Sequence, residues 1–381
     1  MALRAVVVGT GFAGEGHTKA LREAGVEVVA MCGRTPGPAK AMARKLGVRR
    51  VRFDWQEAFG DLKPDIVTLA TPAASHREMT QVAAEMGCHI VCDKPLAVGA
   101  PEARDMLAAV ESAGVKHAYG ATSSYAPVVI HTRNLLANSF IGEVQEIESV
   151  MHIPLPPLLP YHWLFQANQG GGMLNNIFTH TLGQILCMTG ARVMAAGGEA
   201  RYLVDRAPVV EVFHDSRDPF EVKVEAAQVK EWREVDADTA YTVMTQLRMP
   251  QGNDASACFQ ASVRSNHPHN NFTAFHGTKG TLYLTGGFNA VNRIQHCCRE
   301  TATWQDVEVP LSLIESLPEG DDPPQRWWKQ LFREFVADVR GEGNSGYPNF
   351  YDGWIASAII DIVLSGRSLT SLPKHPADVS Q

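Results

Sequence analysis

No stretch of this chain holds the roughly 20 continuous apolar residues that a membrane-spanning helix requires. The amino terminus does not read as a secretory leader either: Met1–Val8 carries one arginine and runs straight into a glycine turn. The expectation is a cytoplasmic protein with no membrane partner. Positive charge is in short supply, with 34 Lys and Arg against 41 Asp and Glu and a formal net charge of −7. That balance gives no general attraction to nucleic acid, and no basic patch, internal repeat or low-complexity tract supplies a nucleic-acid module. Cysteine is sparse and odd in number, seven in 381 residues. Cys88 and Cys92 lie at the ends of a strand-like run through His89-Ile90-Val91, and Cys297 and Cys298 stand side by side without a second pair. A disulfide framework and a zinc knuckle are therefore both excluded, and reduced, partly buried thiols are expected. A G-x-S-x-G elbow and a P-loop lysine pattern are missing as well.

What is present begins at the first residues. Ala5–Val8 is a short β-branched apolar run of buried-strand length, and it opens directly into Gly9-Thr10-Gly11-Phe12-Ala13-Gly14 with a helix-compatible stretch behind. In that context the glycines form a dinucleotide fingerprint. Gly9 permits the tight turn, Gly11 lets backbone approach a pyrophosphate, and Gly14 lets the following helix lie close to the strand. The phosphates would sit on the amide end of that helix, with Phe12 and Ala13 completing the candidate loop.

A strand-and-helix rhythm follows. Val26–Cys32 reads as the second parallel strand and Thr35–Leu46 as the next helix. An acid that would hold the ribose hydroxyls of NAD is expected at the end of this strand, but Gly33, Arg34 and Thr35 stand there. Arg34 could pair with a ribose phosphate and Thr35 could donate to it, which favours NADP over NAD. Val51–Phe53, a helix at Trp55–Phe59 and the strand Asp65–Ala70 come next. Thr71-Pro72 ends that strand, Ser75 is a candidate cap, and Arg77–Glu85 is helical. His89–Cys92 is a strand leading into Asp93-Lys94-Pro95, Glu102–Ala113 a helix, and His117–Gly120 the closing strand. Gly9, Gly33, Thr71 and Lys94 thus follow successive strands at one end of a parallel sheet, where open α/β folds collect ligands.

After Thr122 the pattern changes. Val129–Ala137 reads as a helix, Glu143–His152 as a long strand, Ile153–Pro160 as a proline-rich connection and Met173–Met188 as one apolar helix. Extended stretches at Arg192–Ala196, Val209–Val212, Ala240–Arg248, Ala255–Val263, Phe272–His276 and Gly280–Leu284 lack intervening helices, which predicts a mostly antiparallel sheet. His267-Pro268-His269-Asn270-Asn271 reads as a loop between two of these strands, and Trp327–Asp338 and Tyr351–Ser365 as amphipathic helices. The predicted fold is an α/β dinucleotide-binding domain at 1–122 with a parallel sheet, then an α+β domain at 123–381 with a large open, mostly antiparallel sheet, to which the resemblance given below assigns substrate binding and oligomerisation.

Lys94 is the first catalytic candidate, because an ammonium beside a nicotinamide orients a hydroxyl and stabilises the negative charge of its oxidation, with Asp93 fixing it. His180 is the second, since imidazole can take the hydroxyl proton while the carbon gives up hydride. Asn176 stands four residues before it on the same helical face. His162 could be a second proton carrier or a substrate donor, and Tyr161 and Trp163 could stack on a sugar ring. A metal is not expected, because His162, His180 and Cys187 lack ligand spacing.

Together these motifs resemble the Gfo/Idh/MocA oxidoreductase family. The resemblance rests on G-T-G-F-A-G at 9–14, T-P at 71–72, His76, D-K-P at 93–95, G-E-V at 142–144, the glycines at 170–172, His180 and H-G-T-K-G-T-L at 276–282. It implies a Rossmann domain followed by an α/β domain whose open sheet supports a homo-dimer or homo-tetramer, and NAD- or NADP-dependent oxidation or reduction of sugars, inositols and related polyols. It makes Lys94 and His180 the counterparts of the family's catalytic pair, adds His76 to the cofactor side, and implies a cis peptide before Pro95. The family pattern G-G-G-x-L-x-D-x-G-x-H-x-x-D is altered here, with Asn176, Phe178 and Gly183 at its Asp, Gly and Asp. Asn176 keeps an orienting amide but no charge, and Phe178 is expected to reshape or partly fill the pocket. Besides the dehydrogenase, the resemblance admits a non-catalytic cofactor-binding sensor and an NAD-dependent glycoside hydrolase.

Overall fold

The computed structural model describes residues 2–373 apart from 211–212, 214–216, 265–270, 288–289 and 344. Its first part alternates β1 (Arg4–Val8), α1 (Phe12–Glu23), β2 (Glu27–Cys32), α2 (Pro36–Lys45), β3 (Val51–Arg52), α3 (Trp55–Leu62), β4 (Ile66–Leu69), α4 (His76–Glu85), β5 (His89–Cys92), α5 (Ala100–Ala113) and β6 (His117–Tyr119). The strands pair in parallel in the order β3-β2-β1-β4-β5-β6, so the strand order reverses between β1 and β4. Ala5–Val8 and Ile66–Leu69 are buried throughout, as continuous apolar strands covered on both faces must be.

The turn after β1 needs glycine for steric reasons. Gly9 has φ +117°, and a Cβ there would lie 2.2 Å from the Ala70 carbonyl oxygen. At Gly14 a Cβ would lie 2.1 Å from the carbonyl oxygen of Gly9, so α1 rests directly on the turn. Asp54 caps α3 by accepting from the amides of Gln56 and Glu57 at 2.8 and 3.1 Å. Ser75 behaves differently from expectation: its hydroxyl does not cap α4 but donates to the Pro72 carbonyl (2.9 Å) and sits 2.8 Å from the Thr71 hydroxyl.

The second part holds α6 (Pro127–Ala137), β7 (Val144–His152), α7 (Thr179–Thr189), β8 (Arg192–Arg201), β9 (Arg206–Val209), α8 (Asp218–Glu221), β10 (Glu231–Glu234), β11 (Ala240–Arg248), β12 (Asp254–Ser262), β13 (Phe272–Gly277), β14 (Gly280–Gly287), β15 (Ala290–Cys298) and β16 (Trp304–Val307). The short α9 (Leu311–Glu315), α10 (Pro323–Val339), α11 (Phe350–Leu364) and β17 (Thr370–Ser371) complete it. Nine strands form one sheet in the order β16-β15-β14-β13-β7-β12-β11-β8-β17, antiparallel except where β12 runs parallel to β7. The predicted strand at Val209–Val212 is displaced: β9 ends at Val209 and pairs with β10 in a separate hairpin-like sheet, while 211–212 lie outside the described residues. His267–Asn270 also lie outside them.

Three expectations about helices change. The single helix of Met173–Met188 is a π-helical turn at Leu174–Phe178 followed by α7. Phe178 does not fill the cleft; it is fully buried, with its ring edge-on to Tyr241 and Phe259 at 5.8 and 5.1 Å, in the core between α7 and the sheet. Helix α11 is not amphipathic, because nearly all its residues from Phe350 to Val363 are enclosed by α5, α7 and β8.

One late helix returns to the first part of the chain. Helix α10 packs along α1, its Trp328 ring edge-on to Phe12 at 5.0 Å, and Gly16 leaves the space: a Cβ there would lie 2.3 Å from the Trp328 ring.

Candidate active site

The loops after β1, β2, β4 and β5 open at the same end of the parallel sheet. Helix α1 begins after Gly11 with no side-chain cap, so its first amides are presented at the loop where a pyrophosphate would lie. Gly11, Phe12 and Ala13 are half-buried along it, and the close contacts of Gly9 and Gly14 leave a cradle that any side chain would fill. Those residues fit a dinucleotide. Gly33 packs against Thr10, Arg34 is exposed, and Thr35 stands at the amino end of α2 without capping it. Thr71 is half-buried and Pro72 exposed at the end of β4.

His76 is fully enclosed and has no surface open to a ligand. Burial holds its pKa below the ordinary imidazole value, so the ring is neutral and carries one N–H. Nε2 lies 2.8 Å from the Thr71 carbonyl, and Nδ1 lies 3.1 Å from the Cys92 thiol and 3.0 Å from the Leu96 carbonyl. This ring braces the β4 loop against the loop carrying Lys94, a positioning role in place of the direct cofactor contact expected from sequence.

Asp93 and Lys94 leave β5 together, and the Lys94-Pro95 peptide is cis. The carboxylate of Asp93 accepts from the Lys94 amide at 2.7 Å; burial pushes its pKa up to about 6 against the opposing pull of the Lys94 charge and that amide. Burial likewise lowers the pKa of Lys94, with Asp93 opposing the shift. The half-buried Lys94 ammonium reaches across to the second sheet's side of the cleft and donates to Asn176 Oδ1 at 2.6 Å.

Asn176 lies inside the π turn, and His180 follows in the first turn of α7. His180 is buried, and its pKa is pushed well below 6.5, first by burial and then by the nearby Lys94 charge. Its Nδ1 is 3.4 Å from the buried Ser123 hydroxyl. In the tautomer that places the proton on Nδ1, toward Ser123, Nε2 is the acceptor atom of the ring. Lys94 from the loop after β5, Asn176 from the π turn and His180 from α7 therefore form one group.

Tyr161, His162 and Trp163 precede this group on the connection after β7. His162 is buried with Nδ1 2.7 Å from the Pro160 carbonyl, so it anchors the loop; Tyr161 is half-buried beneath the Arg233 guanidinium, 5.6 Å from its ring centre, and Trp163 is half-buried in a short 3₁₀ turn. Three contributors have no local signal in the sequence. Asp238 holds the start of the π turn, its carboxylate accepting from the Leu174 amide at 2.9 Å and its carbonyl from the Met173 amide at 3.0 Å. Ser123 faces His180 from the other side. Arg217 lies over the Phe12 ring, 4.7 Å from its centre, and 3.7 Å from Glu15. No group of three or more metal-ligating side chains occurs among the described residues.

A parallel sheet of this order with an uncapped helix at its first turn, joined to a second part whose helix α7 supplies a histidine to the cleft, defines a two-domain dinucleotide-binding protein. Comparison with known proteins gives the family. The model of the GFO/IDH/MocA oxidoreductase family, NAD-binding Rossmann fold, matches residues 3–121, and that of the GFO/IDH/MocA C-terminal domain matches residues 129–283. The chain belongs to the GFO/IDH/MocA family. It is 26% identical over 252 residues to levoglucosan dehydrogenase of Pseudarthrobacter phenanthrenivorans, covering 65% of this chain and 62% of that one. It is 26% identical over 208 residues to inositol 2-dehydrogenase of Rhizobium meliloti, covering 54% and 61%. The matches thus span less than two thirds of these curated relatives. A levoglucosan dehydrogenase structure in complex with NADH and levoglucosan superposes with a TM-score of 0.80 at 21% identity over 98% of this chain and all of that one. An oxidoreductase domain protein from Kribbella flavida gives 0.79 at 24% identity over 98% and 100%.

Proposed function

We propose that this protein transfers hydride between a nicotinamide cofactor and a sugar, inositol or related polyol. The observation that carries the reading is the joining of Lys94 to Asn176 at 2.6 Å with neutral His180 alongside, at the mouth of a dinucleotide cradle. The bound cofactor would take hydride from the alcohol carbon, or give it to the carbonyl carbon in the reverse direction. Lys94 donates to the reacting oxygen and stabilises its developing negative charge, His180 Nε2 takes the hydroxyl proton, and a carbonyl results. Asn176 holds Lys94, while Tyr161 and Trp163 line the substrate approach and buried His162 anchors the loop that carries them. Gly9, Gly11, Phe12, Ala13, Gly14, Gly33, Arg34, Thr35, Thr71, Pro72 and Asp93 form the cofactor side.

Lys94→Ala and His180→Ala should each lower turnover by about 10²–10⁴-fold with cofactor affinity intact. Losses of only a few-fold in both, measured by steady-state absorbance of the reduced cofactor, would remove the assignment. Exposed Arg34 at the end of β2, where no acid stands, supports NADP over NAD. Fluorescence titration is expected to show tighter NADPH than NADH binding, and the opposite order would defeat that preference.

The remaining parts of the reading are architectural. Residues 1–122 form the dinucleotide-binding domain and 123–381 the substrate-binding domain, with α10 returning to cover α1. The outer face of the large sheet supports a homo-dimer or homo-tetramer, because Phe272, Tyr283 and Trp304 form an aromatic row there and Met244 is 57% exposed. Seven thiols without disulfide pairing fit the reducing cytoplasm.

A further inference from the structure

The position that most distinguishes this cleft is Asn176. An ammonium has donors and no acceptor, so the Asn176 atom that Lys94 holds must be the amide oxygen. With that oxygen engaged, the group that Asn176 offers a ligand is its NH₂, a donor. The other charged and titratable groups of the site do not counter this. Asp93 lies behind Lys94 on the first sheet's side, buried, with one carboxylate oxygen on the Lys94 amide and packed against Gly120. Asp238 lies beneath the π turn, tied to the Leu174 amide and hard against Gly172. His180 is neutral and faces Ser123. From the second domain the cleft therefore meets a substrate with donors, beside one ammonium that lacks a carboxylate partner at position 176.

Resting on the hydride-transfer reading above, we propose that Lys94, with one N–H on Asn176 Oδ1 and one on the reacting oxygen, gives its third N–H together with the Asn176 NH₂ to a substrate carboxylate, so that the preferred substrate is a sugar acid bearing the reacting hydroxyl and not a neutral polyol. Ammonium and amide N–H groups side by side match the two oxygens of a carboxylate, and the anion supplies the negative charge that the side chain at 176 does not.

Isothermal titration of the cofactor-loaded wild type and Asn176→Asp with D-glucuronate, D-gluconate, D-glucose and myo-inositol tests this. The wild type is expected to bind at least one acid tenfold or more tightly than either neutral compound, with that preference weakened by added salt. In Asn176→Asp the preference should fall at least tenfold, with circular dichroism unchanged. If that variant does not fold, Asn176→Ser carries the same expectation of a reduced preference, and the salt dependence of the wild type reads the charge independently. Equal affinity for acids and neutral compounds, no measurable binding of either acid, or a preference unaltered by the substitution would overturn the proposal. Acid-selective binding without cofactor reduction by any compound would instead strike at the hydride-transfer reading and leave the donor pair standing.

Discussion

His17 shows what a single enclosed side chain costs. It is fully buried in α1, its ring 5.7 Å from Trp328 and 5.2 Å from Phe332, and neither ring nitrogen has a hydrogen-bond partner. Burial, with a smaller contribution from His76, pushes its pKa down to about 3. The folded value lies below the unfolded value near 6.5, so between the two the unfolded chain binds the extra proton and stability falls as pH falls. Each pH unit in that window costs about 1.4 kcal/mol through this group. His17→Leu should therefore flatten the acid side of the stability curve, measured by urea unfolding at pH 7, 6 and 5; parallel curves for variant and wild type would refute it. His180 and Lys94 were legible as individual residues because each follows a motif. The bracing of His76, by contrast, was not, because its partners Thr71, Cys92 and Leu96 meet only when two loops stack.

At the scale of elements, the helix that carries His180 is instructive. Its apolar run reads as continuous, yet a π turn occupies Leu174–Phe178, with Asp238 gripping its start from the far end of another segment. A wider turn changes the angular offset between positions four apart, so the face shared by Asn176 and His180 is set by tertiary contacts and not by spacing alone. Gly183 lies one turn further on, where a Cβ would meet only the Ala121 methyl at an ordinary 3.6 Å. Gly183→Ala should consequently stabilise the protein by about 0.5–1 kcal/mol through reduced chain entropy. Chemical denaturation would check this, and a destabilised variant would indicate that the site lacks the room. The inner β-strands of the first sheet are readable to within a residue or two because they are buried on both faces. The sequence pattern does not show β10, β15, β16 and β17; exposed or edge positions relieve β10, β16 and β17 of an apolar run, and β15, paired on both sides, has Asn292, Arg293, Gln295 and His296 in place of one.

For the whole molecule, the large sheet has two unlike faces. Val243, Leu247, Phe259 and Leu282 point to the helices and are buried, while Met244, Tyr283 and Trp304 stand on the opposite face. Met244→Arg together with Trp304→Glu should lower the apparent mass in light scattering to that of one 41.6 kDa chain. A variant that keeps the wild-type assembly would exclude this face as the contact. The return of α10 onto α1 also ties this late helix to the glycine turn, through Trp328 and Phe12.

The amino-acid order by itself determined the parallel sheet, the glycine turn and the identity of the acid–base candidates, because each depends on residues within a few positions of one another. Only the tertiary structure decided which atoms meet. The Lys94–Asn176 bond, the grip of Asp238, the enclosure of His76 and the covering of α1 by α10 join positions from 5 to more than 300 residues apart. Their partners are chosen by packing, which no local pattern encodes.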